Sequence, residues 1–129
     1  MTMHRVTERL RERSRQAMEK ILAQEADAEQ RRAQLELVGP EALRRLVDVA
    51  SGHTGQSQHC RRILLAAYNG PTWPLDLTRL RVIDRDLQRA ALTLIEWATY
   101  TPRELHEYLD DGDRLMQRFW NTETHKEED

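Results

Sequence analysis

The sequence predicts an all-α protein: a compact bundle of four to five helices preceded by a long charged helix. Three observations carry this. No stretch shows sustained period-two alternation of apolar and polar residues, the signature of a strand. Apolar residues instead recur at helical spacing in several separate segments. The 5 Gly and 4 Pro fall in a few short clusters, leaving long uninterrupted runs of helix formers.

The first run, from Met3 to Leu37, contains neither Gly nor Pro. A helix of that length would extend roughly 50 Å. Its apolar positions are sparse (Met3, Val6, Leu10, Ala17, Met18, Ile21, Leu22, Ala28, Leu35) and are interrupted by Arg13, Ser14, Gln24, Arg31 and Arg32. So thin a stripe buries little by itself and calls for a partner surface. That partner is either the rest of the chain or a second molecule in a coiled coil, so residues 1–38 are expected to form a dimerisation or partner-binding arm. Arg5, Arg9, Leu10, Arg13 and Ile21 are its candidate contact residues.

Gly39-Pro40 predicts a boundary, with Pro40 opening a second helix. Leu43, Leu46, Val47 and Ala50 mark its buried face, and Gly52 its end. After a polar loop, Cys60, Ile63, Leu64, Ala67 and Tyr68 mark the next face, with Ser57 as a candidate cap. Gly70-Pro71-Thr72-Trp73-Pro74 is a rigid turn. Trp73 is either a lid on the bundle end or an exposed aromatic anchor for a partner.

Asp76 is positioned to cap a helix over 77–99, whose second half, AALTLIEWA, is apolar around most of its circumference and so predicts the centre of the fold. Thr101-Pro102-Arg103-Glu104 resembles a capping box opening a helix that buries Leu105, Tyr108 and Leu109. That helix either breaks at Asp110–Asp113, with Asp113 capping a last helix, or runs on unbroken. The bundle is thus expected to occupy residues 40–120, and 121–129 to be a frayed acidic tail.

Charge is nearly balanced, at −2 overall, but unevenly distributed. Residues 1–103 carry 17 basic and 13 acidic side chains, residues 104–129 only 3 basic against 9 acidic. The acidic end is suited to folding back on the basic helix, to pairing with a second copy, or to occupying a basic groove of a partner. Arg11 and Arg15 on the first helix, with Arg79, Arg81, Arg85 and Arg89 further on, are candidate nucleic-acid contacts. The pI of about 6.2 lacks the positive excess usual in nucleic-acid-binding domains.

A single cysteine excludes an intrachain disulfide. No apolar run approaches a membrane span, and the arginine-containing N-terminus lacks the apolar block of a secretory signal, so a cytoplasmic protein with no membrane partner is expected. His53, His59 and Cys60 are the only dense set of metal-ligand types, but their spacing matches no usual zinc pattern. No cofactor is expected. His59 is poorly placed to activate the adjacent Cys60; His53 remains open as a partner for that thiol. Gln56 serves either the loop backbone or a ligand. No phosphate-binding glycine loop, nucleophile elbow or H-E-x-x-H is present, which leaves an enzyme the least supported class.

The succession Gly55-Gln56-Ser57, Leu64-Leu65, Tyr68-Asn69-Gly70, Leu75-Asp76-Leu77-Thr78, Leu80 and Asp84 resembles a family of small uncharacterised bacterial proteins associated with plasmids, phages and integrative elements. The resemblance spans about residues 41–95, and departs from the family pattern at Leu75, where an aromatic residue is usual. It implies a mobile-element accessory protein without a defined activity. By analogy of setting, such a protein binds and modulates a host or element complex, as anti-CRISPR inhibitors do. The leading expectation is therefore a non-enzymatic protein-interaction module; nucleic-acid binding through the arginines and a metal-dependent activity at His53, His59 and Cys60 are the alternatives.

Overall fold

A computed structural model describes residues 2–128, with side chains described for 2–126. The described residues form four α-helices and no strand: α1 (Thr2–Ala50), α2 (Gly55–Tyr68), α3 (Arg85–Tyr100) and α4 (Gly112–Glu128). Two short 3-10 turns, Leu77–Arg81 and Leu105–Tyr108, lie before α3 and before α4. The all-α class and the long leading helix are as expected.

The expected boundary at Gly39-Pro40 is not a helix break. α1 runs through it, and the chain divides into two compact units between Ala33 and Gln34 instead. The cause lies in the stripe that α1 buries in the second unit: Leu35, Gly39, Leu43, Leu46 and Ala50 recur at steps of three and four. Gly39 belongs to that stripe because the Trp97 indole lies directly against it. A Cβ at Gly39 would overlap the ring. Glycine therefore permits a close approach here and does not end a helix. Pro40 still removes one helical N–H, a cost of about 3 kcal/mol in a helix interior that burial of the flanking leucines must exceed.

Around Trp97 the second unit builds a single core. Leu43 and Leu46 of α1, Ile63 and Leu65 of α2, Leu87 and Leu94 of α3, and Met116 and Phe119 of α4 are all buried. Of the faces read from the sequence, Leu43, Leu46 and Ala50, then Cys60, Ile63 and Leu64, then Leu87, Ala91, Leu94 and Trp97 enter it, while Val47 and Tyr68 are half-buried and Ala67 is exposed. Trp97 Nε1 donates to Glu36 Oε1 (3.3 Å), and Tyr108 OH donates to Glu36 Oε2 (3.1 Å). The Trp97 and Tyr108 rings pack 4.6 Å apart. One carboxylate on α1 thus satisfies the polar ends of both aromatics.

Several local expectations need correction. α2 is capped by Thr54, with Ser57 as the reciprocal partner of its capping box and not the cap. The segment expected as one helix over 77–99 is divided: Asp76 caps the first 3-10 turn as expected, accepting from Thr78 N, while α3 begins only at Arg85. Thr101 opens no capping box; its hydroxyl accepts from Arg103 N and bonds Tyr108 OH. A break does occur at 110–113, where Asp111 takes a positive φ of 54° and α4 starts at Gly112, two residues earlier than a cap at Asp113 requires.

The expected frayed tail is helical through Glu128, and the reason is Glu123; Asp129 lies outside the described residues. Glu123 is fully buried, accepting from Arg61 Nε at 2.7 Å and from Arg62 Nε at 2.8 Å. Burial acts to raise its pKa, but hydrogen bonds from Arg62 and Arg61, with their charges, outweigh it and hold the carboxyl below its ordinary 4.5. Arg61 is itself buried and also donates through Nη1 to the carbonyls of Ala50 (2.8 Å) and Gly52 (3.2 Å). It thereby satisfies backbone acceptors at the C-terminal end of α1. The acidic end of the chain therefore pairs with α2 at Glu123.

Two outcomes are expected. Gly39→Ala lowers unfolding free energy by about 1–3 kcal/mol in denaturant titration, although alanine is the better helix former, because the new methyl meets the Trp97 ring. Glu123→Ala costs about 3–5 kcal/mol, since it leaves two guanidinium groups buried or half-buried without their carboxylate. The contribution of Glu123 is present above its ordinary pKa and is lost as pH falls below it. Wild-type stability should accordingly drop on acidification below about pH 4.5, and the drop should be smaller in Glu123→Gln.

Candidate functional site

In the first unit, residues 2–30 are exposed along their whole length. The apolar side chains of this stretch include Met3 (83% exposed), Leu10 (55%), Met18 (57%) and Ile21 (49%). Several polar contacts within residues 2–30 are between neighbouring turns. His4 pairs with Glu8 at 2.9 Å, and Arg15 Nη2 donates to both carboxylate oxygens of Glu12 at 2.6 Å. Those bonds, with one from Gln16, hold the Glu12 pKa below its ordinary value. Exposed pairs of this kind add only tenths of a kcal/mol to a helix. Arg5, Arg9, Leu10, Arg13 and Ile21, the candidate contact residues, are all exposed, and so are Arg11 and Arg15.

Trp73 is not available as a partner anchor. It is 5% exposed, packs edge-on to Trp120 at a centroid distance of 5.5 Å, and carries the Arg62 guanidinium 4.6 Å above its ring. Of the two readings of Trp73, the structure has the lid: flanking prolines fix the turn, and the indole closes over α2 and α4.

Gln56 is engaged with the protein itself. Its Oε1 accepts from Asp84 N at 2.7 Å, and its Nε2 donates to Asp84 Oδ2 at 2.9 Å. This two-point clasp joins the start of α2 to the start of α3, and it occupies the carboxylate that would otherwise cap α3. One donor and one acceptor of the Gln56 amide are thus used within the protein.

The His53, His59 and Cys60 set does not converge. Cys60 is wholly buried, and burial pushes its thiol up to about 11, which disfavours the thiolate at neutral pH. His59 Nδ1 lies 3.0 Å from Arg79 Nη1; burial first, and the Arg79 charge second, push its pKa below 6.5. The neutral ring thus accepts from a guanidinium, and that cation opposes a metal at the same nitrogen. His53 is exposed. Among the described residues, no three His, Cys, Asp or Glu side chains are grouped to hold a metal ion.

The later arginines are also dispersed. Arg79 and Arg81 lie on the first 3-10 turn, Arg85 and Arg89 on α3, and only Arg79 is half-buried. The sequence reading that set all four on one helix missed the break at 82–84, which the Gln56–Asp84 clasp stabilises. It also missed the Arg61, Arg62 and Glu123 cluster. The 61-residue separation between Arg62 and Glu123 leaves no local pattern to find.

No described helix is long and apolar enough to cross a membrane. No curated protein and no solved structure matches the chain. A family model does match, over residues 40–124, further along the chain than the resemblance at 41–95 and taking in most of α4. Residues 2–39 of α1 lie outside it. The chain belongs to DUF7673, a family of unknown function.

Proposed function

We propose that the protein is a non-enzymatic interaction module whose N-terminal helix associates with a second copy of itself as an antiparallel coiled coil. The observation that carries this reading is the exposed apolar stripe of residues 3–28, whose large residues are each 49% exposed or more. Met3, Leu10 and Ile21 of the stripe fall in the seam of a heptad register, with Val6 and Met18 at flanking g and e positions and Leu22 outside it. Met3, Leu10, Ala17 and Gln24 take the d positions, and Thr7, Ser14, Ile21 and Ala28 the a positions.

Charge favours the antiparallel direction. In that register Arg11 and Glu25 occupy e positions, and Arg13 and Asp27 occupy g positions. An antiparallel pair meets e to e and g to g, which sets Arg11 against Glu25 and Arg13 against Asp27, each twice by symmetry. The same alignment matches Leu10 with Ala28 and Ile21 with Ala17, large against small across the seam. A parallel pair would instead leave Arg11 and Arg13 opposite apolar residues and would set Arg31 against its own copy in the seam.

The resemblance to mobile-element proteins adds a setting for such a module, the binding and modulation of a host complex. That setting is part of the proposal.

Sedimentation equilibrium of the full chain should give a dimer, and Leu10→Glu with Ile21→Glu should give a monomer of unchanged thermal midpoint. Arg11→Glu with Arg13→Glu should weaken association, and Glu25→Arg with Asp27→Arg in the same chain should restore it. Under oxidation, Ser14→Cys paired with Gln24→Cys should cross-link two copies, whereas Ser14→Cys alone should not. A monomer at every concentration, or efficient cross-linking of the single variant, overturns the reading.

A further inference from the structure

We propose that the cleft between the C-terminal end of α1 and α4 binds the phosphoryl group of a small phosphomonoester. The cleft has a volume of about 210 Å³ and is lined by His53, Arg61, Arg118 and Lys126, with Phe119 and Thr122 beside them. Arg61, Arg118 and Lys126 bring three positive side chains to one small space. Among the described residues, the carboxylate paired within this group is Glu123, which is fully buried and already bonded to Arg61 and Arg62. Lys126 stands 4.0 Å from that carboxylate, at the limit of an ion pair. Arg118 has no carboxylate partner among the described residues, and its side chain is exposed.

Arg61 supplies the observation that separates this cleft from a merely basic surface. It is 4% exposed, so its guanidinium is held in place, with Nε committed to Glu123 and Nη1 to the carbonyls of Ala50 and Gly52. Its Nη2 has no hydrogen-bond partner, and it is not among the fully enclosed polar atoms left unpaired. A fixed guanidinium with one free edge in a cleft is a preorganised oxyanion donor. The carbonyls at the end of α1, which would repel an anion, are the ones that Arg61 Nη1 already neutralises.

Charge and size select the ligand. Among the described residues, with Glu123 counted, Arg61, Arg118 and Lys126 leave an excess of two positive charges at the cleft, which matches a phosphomonoester dianion better than a carboxylate. The Phe119 ring and the Ala50 methyl lie beside them as the apolar part of the lining. The volume falls below the roughly 300–1,000 Å³ of sites that enclose drug-sized molecules, so a head group fits and a whole nucleotide does not.

Calorimetric titration of the full chain with inorganic phosphate and with phenyl phosphate, at ionic strength held constant with sodium chloride, tests this. Saturable binding is expected, weakened about tenfold by Arg118→Gln and again by Lys126→Gln, both at sites where the fold loses no hydrogen bond. Tighter binding of phenyl phosphate identifies an ester as the occupant; tighter binding of inorganic phosphate identifies the free ion, and corrects the proposal to that ligand. The Leu10→Glu, Ile21→Glu chain should bind equally well, which keeps this result independent of self-association. The proposal is overturned by three results: no saturable heat with either probe, binding indifferent to both substitutions, or equal competition by oligonucleotides with and without a 5′-phosphate.

Discussion

The contact between Gly39 and the Trp97 indole is the constraint on which the second unit rests. Trp97 is the largest wholly buried side chain, and it can lie against α1 only because one residue of that helix has no Cβ. The consequences run outward from there. Leu35 and Leu43, four residues to either side, enter the core on the same stripe. Glu36 then sits within reach of both the Trp97 N–H and the Tyr108 hydroxyl. Tyr108 in turn carries Arg103 over its ring at 4.3 Å, which fixes the turn leading towards α4.

This contact also explains which parts of the fold were legible in the sequence. Helical periodicity located the buried faces of 43–50, 60–64 and 87–97, because a 3.6-residue repeat survives whatever packs against it. Gly39-Pro40 misled for the opposite reason. As local chemistry the pair is a helix breaker, and only a partner 58 positions along the chain turns the glycine into a packing residue. One signal was available: Gly39 stands four residues after Leu35 and four before Leu43, inside a stripe and not beyond its end.

The candidate sites divide in the same way. The thinness of the N-terminal stripe called for a partner surface, either the rest of the chain or a second molecule, and residues 2–30 are exposed along their whole length. Charge counted by segment was a poorer guide. The acidic surplus after residue 104 suggested a solvated tail, whereas one of its members, Glu123, is fully buried between two arginines. Polar residues that act in pairs across 28 or 61 positions, as Gln56 with Asp84 and Arg62 with Glu123, give no spacing for a motif to match.

Glu123 shows why the buried pair and the basic cleft belong to one piece of chemistry. A carboxylate enclosed at the α2–α4 contact is unfavourable unless its charge is met, and a single guanidinium would meet it. The chain supplies two, and Lys126 stands near by, so the cluster carries more positive charge than its own carboxylate requires. Part of the excess is used where Arg61 binds the carbonyls ending α1, a neutral interaction that leaves the charge itself uncompensated. Like charges held this close raise the cost of the fold unless an anion relieves them. Stability would have been served as well by an apolar residue at 123 and neutral residues at 61 and 62. The arrangement present instead keeps Arg61, Arg118 and Lys126 beside an open cleft, and the proposed anion site rests on that feature.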